Sequence, residues 1–176
     1  MEIKAIVYTS NTGYTAEYAH LLGRRTGVPV LASEEAEATL PKGTAVLYFG
    51  WLMAGQIKGY RRAAHRYAVA AVCGVGLGAT GGQDASARKA NRVPADVPVF
   101  TLQGGFDFSR LTGIYRTMMK TFIRVVGGQL EAKTDRTPDE DRVLELLHHG
   151  GSCVSEENLA AVLAWLETEE KKNHLS

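Results

Sequence analysis

The first 22 residues contain the pattern that most constrains how this chain folds. The apolar run Ile3–Tyr8 predicts a short buried strand, and Ala16, Ala19 and Leu22 recur at helical spacing. Between these two segments, Thr9–Thr15 is rich in hydroxyl side chains. A turn that leads into a helix offers unpaired N–H groups and the positive end of the helix dipole. The stretch therefore predicts a strand, a phosphate-binding loop and a helix.

The composition of this loop narrows the class of phosphate ligand. The loop contains no Lys or Arg, and no Gly-Lys-Ser/Thr follows it, so it differs from the loop that binds nucleoside triphosphates. Hydroxyl groups and dipoles alone suit a monophosphate better than a magnesium-bound triphosphate. The residues expected to bind the phosphate are Thr9, Ser10, Asn11, Thr12, Gly13, Tyr14 and Thr15.

The rest of the chain predicts further strands that alternate with helices. Strands are predicted at Val28–Leu31, Ala45–Phe49, Val69–Val75 and Val97–Leu102. Helices are predicted at Gln56–Tyr67 and Asp84–Asn91. Capping residues predict three more: one from Ser109 to the Gly127-Gly128 pair, one from the Thr137 capping box to His149, and one that begins after Ser155. The segment Ser33–Lys42 is predicted to be an acidic connector. This alternation predicts a doubly wound α/β fold, in which helices cover both faces of a five-stranded parallel sheet. The length of 176 residues fits one domain over residues 1–170, followed by a polar tail at 171–176.

The strand, loop and helix at the N-terminus resemble the FMN signature of the flavodoxin family. The matching positions are Ile6, Val7, Tyr8, Ser10, Gly13, Thr15, Ala19 and Leu22. Farther along, Gly104–Leu111, Met118–Lys120 and the Gly-Gly pair look like stand-alone bacterial flavodoxin-domain proteins. They are also similar, more distantly, to the menaquinone-dependent protoporphyrinogen dehydrogenase branch of that family. The resemblance implies the strand order 2-1-3-4-5, FMN as cofactor and a role in electron transport.

Three glycine-rich segments follow predicted strands and are the candidates to hold the flavin ring. In an open α/β sheet, ligands bind beyond the carboxyl ends of the strands, where the strand order reverses. Trp51 is the expected stacking partner of the ring, and a buried core tryptophan is the alternative. The segment Gly74–Gly82 contains no aromatic residue, which leaves one ring face open to substrate. The residues expected at the ring are Gly50, Trp51, Leu52, Met53, Ala54, Gly55, Gly74, Val75, Gly76, Leu77, Gly78, Gly104 and Phe106.

The distribution of charge bears on both partners and redox potential. The formal net charge of +1 provides no field that would recruit nucleic acid. No Asp or Glu lies between Gly43 and Gln83, so an anionic reduced flavin is repelled less than in an acidic carrier. This favours a flavoenzyme or a menaquinone-linked oxidase over a low-potential carrier. The helix after Ser109 carries an apolar and a cationic face, for which core packing is the first interpretation and a membrane or partner contact the second.

Three functions remain open on this reading. The first is an FMN-dependent electron carrier or small oxidoreductase, which acts with a redox partner protein, a quinone or a small-molecule substrate. The second is a menaquinone-linked protoporphyrinogen-type dehydrogenase, and the third is a binding or regulatory module without flavin. No residue stands out as a catalytic acid, base or nucleophile. Cys73 and Cys153 lack metal-ligand or Cys-x-x-Cys spacing, and the chain shows no signal peptide, which together predict reduced thiols and a cytoplasmic protein.

Overall fold

A computed structural model describes residues 2–174, and a mostly parallel sheet lies at its centre. The strands that come first are β1 (Ala5–Thr9), β2 (Val30–Ala32), β3 (Ala45–Met53), β4 (Gln56–Ile57), β5 (Ala68–Gly76) and β6 (Val99–Gln103). The parallel strands run in the order β2-β1-β3-β5-β6, and the short β4 pairs antiparallel with the end of β3. This confirms the predicted α/β fold class, and the order is compatible with a flavodoxin-like doubly wound sheet.

Helices cover both faces of the sheet. One face is covered by α1 (Tyr14–Thr26), and the C-terminal α8 (Ala160–His174) packs beside it. The other face is covered by α2 (Ser33–Thr39), α3 (Tyr60–Arg66) and α4 (Asp84–Asn91). Successive residues of β1 point to opposite faces, so Ile6 joins the first core and Val7 the second.

A helical insertion, residues 107–150, separates two short strands at one end of the sheet. These strands, β7 (Gly105–Phe106) and β8 (Gly151–Ser152), pair antiparallel. The insertion contains α5 (Gly113–Phe122), α6 (Gly128–Ala132) and α7 (Pro138–His149), and a π-helical turn joins α5 to α6. A small core of Phe106, Leu111 and Leu146 holds it together.

Two predicted boundaries of the insertion's first helix are wrong. The Asp107 carboxylate accepts a hydrogen bond from the Ser109 N–H at 2.9 Å, which closes a short 3-10 turn at Phe108–Arg110 and delays α5 to Gly113. The Gly127-Gly128 pair does not stop the helix, because both glycines adopt helical angles. Glycine costs about 1 kcal/mol in a helix but does not forbid it.

Other segments also differ from their predictions. The predicted helix Gln56–Tyr67 contains β4 and only then α3, because Gly59 turns the chain with a φ of +81°. The acidic connector Ser33–Lys42 contains α2, and the predicted loop Gly50–Gly55 is strand up to Met53. The polar tail is helical through His174, while residues 175 and 176 lie outside the described residues.

Two of the three arginines of α3 are engaged in contacts with α2. Arg62 forms an ion pair with Glu37, and Arg66 donates hydrogen bonds to the Glu37 and Leu40 carbonyl oxygens. These contacts attach α3 to the C-terminal end of α2. Arg61 remains exposed.

Candidate functional site

A cleft of about 570 Å³ lies beyond the carboxyl ends of the parallel strands. The loop after β1, the ends of β3 and β5, and the segment after β6 border it, and α5 of the insertion covers it from the side. Its volume lies within the range of roughly 300–1,000 Å³ that is usual for small-molecule sites. The residues expected at the ligand that line it are Asn11, Thr12, Tyr14, Thr15, Trp51, Leu52, Met53, Ala54, Gly55, Val75, Gly76, Leu77, Gly78, Gly104 and Phe106.

The predicted phosphate loop leads directly into α1. Gly13 is the N-cap residue of this helix, with a φ of +101° and no side-chain cap. Its own N–H donates a hydrogen bond to the Ser10 hydroxyl at 3.1 Å, which fixes the turn. Within the described part of the chain no side chain caps the start of α1, so its first N–H groups suit an anion.

The hydroxyl of Thr9 lies below the loop, in a hydrogen-bond network that links three elements. It is 2.8 Å from both the Tyr48 and the Ser33 hydroxyls, and Ser33 in turn donates to the Tyr8 carbonyl at 3.0 Å. Burial raises the pKa of the Tyr48 phenol. Thr9 therefore anchors the loop to β3 and α2, and it does not line the cleft.

The remaining predicted residues outside the cleft lining have packing roles. Gly50 lies beneath the β3–β4 turn, where an added Cβ would be 2.5 Å from the Lys58 carbonyl oxygen. Gly74 packs against Leu52, which itself lines the cleft. Small residues at these two positions let the hairpin lie close to the sheet.

A tight hairpin forms the first of the predicted ring segments. Leu52 pairs with Ile57 and Met53 with Gln56, and the turn has positive φ angles at Ala54 (49°) and Gly55 (76°). A buried asparagine of α4, Asn91, supports this turn through hydrogen bonds to its backbone. The sequence gives no signal for that support, because Asn91 is distant from the hairpin in the chain.

Trp51 lies in the wall of the cleft, so the alternative of a core tryptophan is wrong. Its side chain is only partly buried and belongs to none of the core clusters. The Tyr115 ring approaches it edge-on, with 5.3 Å between centroids and an interplanar angle of 87°. The Lys58 ammonium lies 5.6 Å from the Trp51 ring centroid.

The structure adds cleft residues that sequence reasoning missed, and most belong to the insertion. The added residues are Gln83, Gly105, Leu111, Tyr115, Met118, Met119, Phe122 and Val143. The signal was present as the apolar periodicity of the helix after Ser109, but the first interpretation assigned that face to the core. No residue of α5 is fully buried: Tyr115 and Met119 pack against the small core of the insertion, and with Met118 and Phe122 they also border the cleft. Tyr115 thus supplies an aromatic ring that Gly74–Gly82 lacks.

None of the residues that line the cleft carries a charge. Polar side chains are concentrated near the phosphate loop, in Asn11, Thr12 and Thr15, while Gln83 lies near the β5 end. Methionine, leucine and aromatic side chains form most of the remaining wall. The cleft can therefore accept an apolar planar group whose polar end points toward α1.

A cation reaches the phosphate loop from outside it. The Arg110 guanidinium donates a hydrogen bond from Nη1 to the Thr12 carbonyl at 2.9 Å and lies 5.5 Å from the centroid of the Tyr14 ring. Ninety-eight positions separate Arg110 from Thr12. The expectation that the loop relies on hydroxyls and dipoles alone is therefore incomplete.

No family model, curated protein or solved structure matches this chain. Functional assignment thus depends on the fold and on the chemistry of the cleft. Among residues 2–174, no group of His, Cys, Asp or Glu side chains is arranged to hold a metal ion. Within the same part of the chain, no helix is both long and apolar enough to cross a bilayer.

Proposed function

We propose that this protein binds FMN and acts as a flavodoxin-like oxidoreductase. The observation that carries the proposal is that the uncapped start of α1 and the ends of β3, β5 and β6 meet at one uncharged cleft. Bound there, FMN would supply the redox chemistry. The protein would supply position and electrostatic environment.

The residues of the cleft divide into two parts that fit the two ends of FMN. Asn11, Thr12 and Thr15, with the first N–H groups of α1, suit the phosphate. Trp51 and Tyr115 suit the apolar isoalloxazine ring. Glycines at 76, 78 and 104 allow backbone to border the ring closely.

The walls of the cleft favour an enzyme over a plain electron carrier. Leu111, Met118, Met119 and Phe122 from the insertion provide apolar surface beyond that of the strand-end segments. Such a surface suits an uncharged planar substrate such as a quinone. A menaquinone-linked dehydrogenase, including one that oxidises a porphyrinogen, is the second candidate on this observation.

The two free cysteines, Cys73 and Cys153, favour the cytoplasm as the location of this protein.

Visible absorption during an FMN titration, followed by stepwise anaerobic reduction, tests the proposal. Tight binding with a shifted flavin spectrum is expected. Re-oxidation of the reduced protein by a soluble menaquinone analogue would favour the enzyme, whereas exchange only with a one-electron protein partner would favour the carrier. A protein that binds no FMN would overturn the redox proposal and leave a binding module.

We also propose that α5 and the turn after it contact an anionic lipid surface. Ile114 and Val125 are 71% and 50% exposed and do not line the cleft, whereas the exposed Met118 and Phe122 do. The charged residues of α5 and the turn after it, Arg116, Lys120 and Arg124, are all cations. We expect salt-sensitive co-sedimentation with vesicles that contain phosphatidylglycerol and none with phosphatidylcholine alone. Equal binding by the wild type and Ile114→Asp would contradict this contact.

A further inference from the structure

Arg110 lies where the helical insertion meets the phosphate loop. It is the last residue of the 3-10 turn that precedes α5, yet its guanidinium contacts the loop after β1. The approach is close, because a Cβ added to Gly13 would lie 3.3 Å from Arg110 Nη1. Gly13 therefore supplies the positive φ of this turn and leaves space beside the guanidinium.

The arginine is held in place by its own turn. Its Nε lies 3.1 Å from the Asp107 carboxylate. That carboxylate also accepts hydrogen bonds from the Ser109 hydroxyl and N–H, which lower the pKa of Asp107, with Arg110 adding a smaller effect. Within residues 2–174, Nη2 of Arg110 makes no hydrogen bond. The guanidinium is therefore oriented on the loop, and the N–H donors of Nη2 remain available to a ligand.

An oriented guanidinium beside a loop that suits an anion can bind a phosphate group. Arginine pairs with phosphate oxygens through parallel N–H donors, and such charge-assisted bonds are stronger than neutral ones. The Arg110 side chain is about half exposed (49%), so solvent weakens the attraction without removing it. Asp107 offsets part of the charge, which also leaves the effect moderate.

We propose that Arg110 is the counter-ion of the FMN phosphate and makes the site prefer FMN to riboflavin. The inference rests on the proposed function. It assigns to the insertion a second role beside covering the cleft, because phosphate recognition then requires a residue from outside the loop. Riboflavin, which lacks the phosphate, is the matched ligand that isolates this role.

The test compares FMN and riboflavin affinities, measured by flavin fluorescence, in the wild type, Arg110→Gln, Arg110→Lys and Arg116→Gln. Arg116 is the control, because it belongs to the same insertion but lies over the Phe108 ring, 4.8 Å from its centroid. We expect Arg110→Gln to weaken FMN binding about 5- to 20-fold while riboflavin changes less than about twofold. The FMN affinity of Arg110→Lys should lie between those of the wild type and Arg110→Gln, and the FMN affinity of Arg116→Gln should match that of the wild type.

Salt provides a second readout, and its wild-type measurement does not depend on any variant folding correctly. In the wild type, the preference for FMN over riboflavin should shrink as NaCl rises from about 50 to about 500 mM, and it should shrink less in Arg110→Gln. Equal weakening of both flavins would show that Arg110 only supports the fold and would overturn the inference. Unchanged FMN binding in Arg110→Gln would do the same while leaving the proposed function intact. A wild type that binds neither flavin would overturn both proposals.

Discussion

The side-chain amide of Asn91 accepts a hydrogen bond from the Ile57 N–H at 2.9 Å and thereby fixes the β3–β4 hairpin to α4. Its Nδ2 donates to the Gly55 carbonyl at 2.9 Å and to the Ala87 carbonyl at 2.8 Å, so both N–H groups and the oxygen are used. The residue is only 3% exposed. One side chain thus stands in for the strand partner that the hairpin lacks at this edge.

Replacing Asn91 by Ala should therefore destabilise the protein. We expect a loss of about 2–4 kcal/mol in the free energy of unfolding, because backbone groups of Ile57 and Gly55 lose buried partners. Urea denaturation measures it. Ser86→Ala, an exposed change on the same helix, should cost less than about 0.5 kcal/mol. A similar small loss for Asn91→Ala would show that the hairpin does not depend on the amide.

Two glycines with the same backbone angle separate steric clash from backbone strain. Gly59 and Gly43 both have a φ of +81°, but a Cβ at Gly59 would lie 2.0 Å from the Tyr48 hydroxyl, whereas at Gly43 no atom of residues 2–174 would lie within 4 Å. Gly43→Ala should cost only the conformational penalty, about 1–2 kcal/mol. Gly59→Ala should cost at least about 2 kcal/mol more, because it also displaces the Tyr48–Thr9 network. Equal thermal midpoints for the two variants would contradict this difference.

Stability should fall at alkaline pH because of Tyr18. Burial raises the pKa of this phenol, whose hydroxyl donates to the Gln103 carbonyl and accepts from Asn158 Nδ2 at 2.8 Å. In the unfolded chain the phenol ionises near pH 10, to a first approximation. The unfolded state then releases a proton that the folded state keeps, so the contribution of Tyr18 is intact below about pH 10 and is lost as pH rises through the folded-state pKa.

Chemical denaturation between neutral pH and about pH 11 measures this effect. Tyr18→Phe should be less stable at neutral pH, because Gln103 and Asn158 lose a partner, and its stability should decline less steeply above pH 10. Burial also raises the pKa of Tyr48, so Tyr48 contributes to the decline of stability with pH in both proteins. Identical slopes for the wild type and Tyr18→Phe would exclude Tyr18 as a source.

Substitutions at Trp51 and Tyr115 should change the affinities for FMN and riboflavin equally. Because these rings lie at the apolar part of the cleft, Trp51→Leu and Tyr115→Leu should weaken FMN and riboflavin by the same factor, about 5- to 30-fold. This pattern is the reverse of that expected for Arg110→Gln. Fluorescence titration of each variant with both ligands measures it, and a loss confined to FMN would place the phosphate, and not the ring, beside these residues.

The sequence by itself determined the elements whose signals are local. The apolar run Ile3–Tyr8 predicted the first strand, and the helical spacing of Ala16, Ala19 and Leu22 predicted α1. The Thr137 capping box predicted the start of α7, where Thr137 and Glu140 exchange both cap hydrogen bonds. These signals lie within a few residues of the structure they produce. The strand-end positions of the candidate site followed from the same reasoning, because parallel strands end at one edge of the sheet.

Only the tertiary structure decided which distant groups meet at the cleft. The apolar face of α5 is equally consistent with core packing, and its position beside Trp51 depends on how the insertion folds back over the strand ends. The contacts of Arg110 with Thr12 and of Asn91 with Ile57 join residues 98 and 34 positions apart. Periodicity shows which face of an element is apolar, but it does not show which other element that face contacts. The residues that surround the ligand therefore depend on packing between elements.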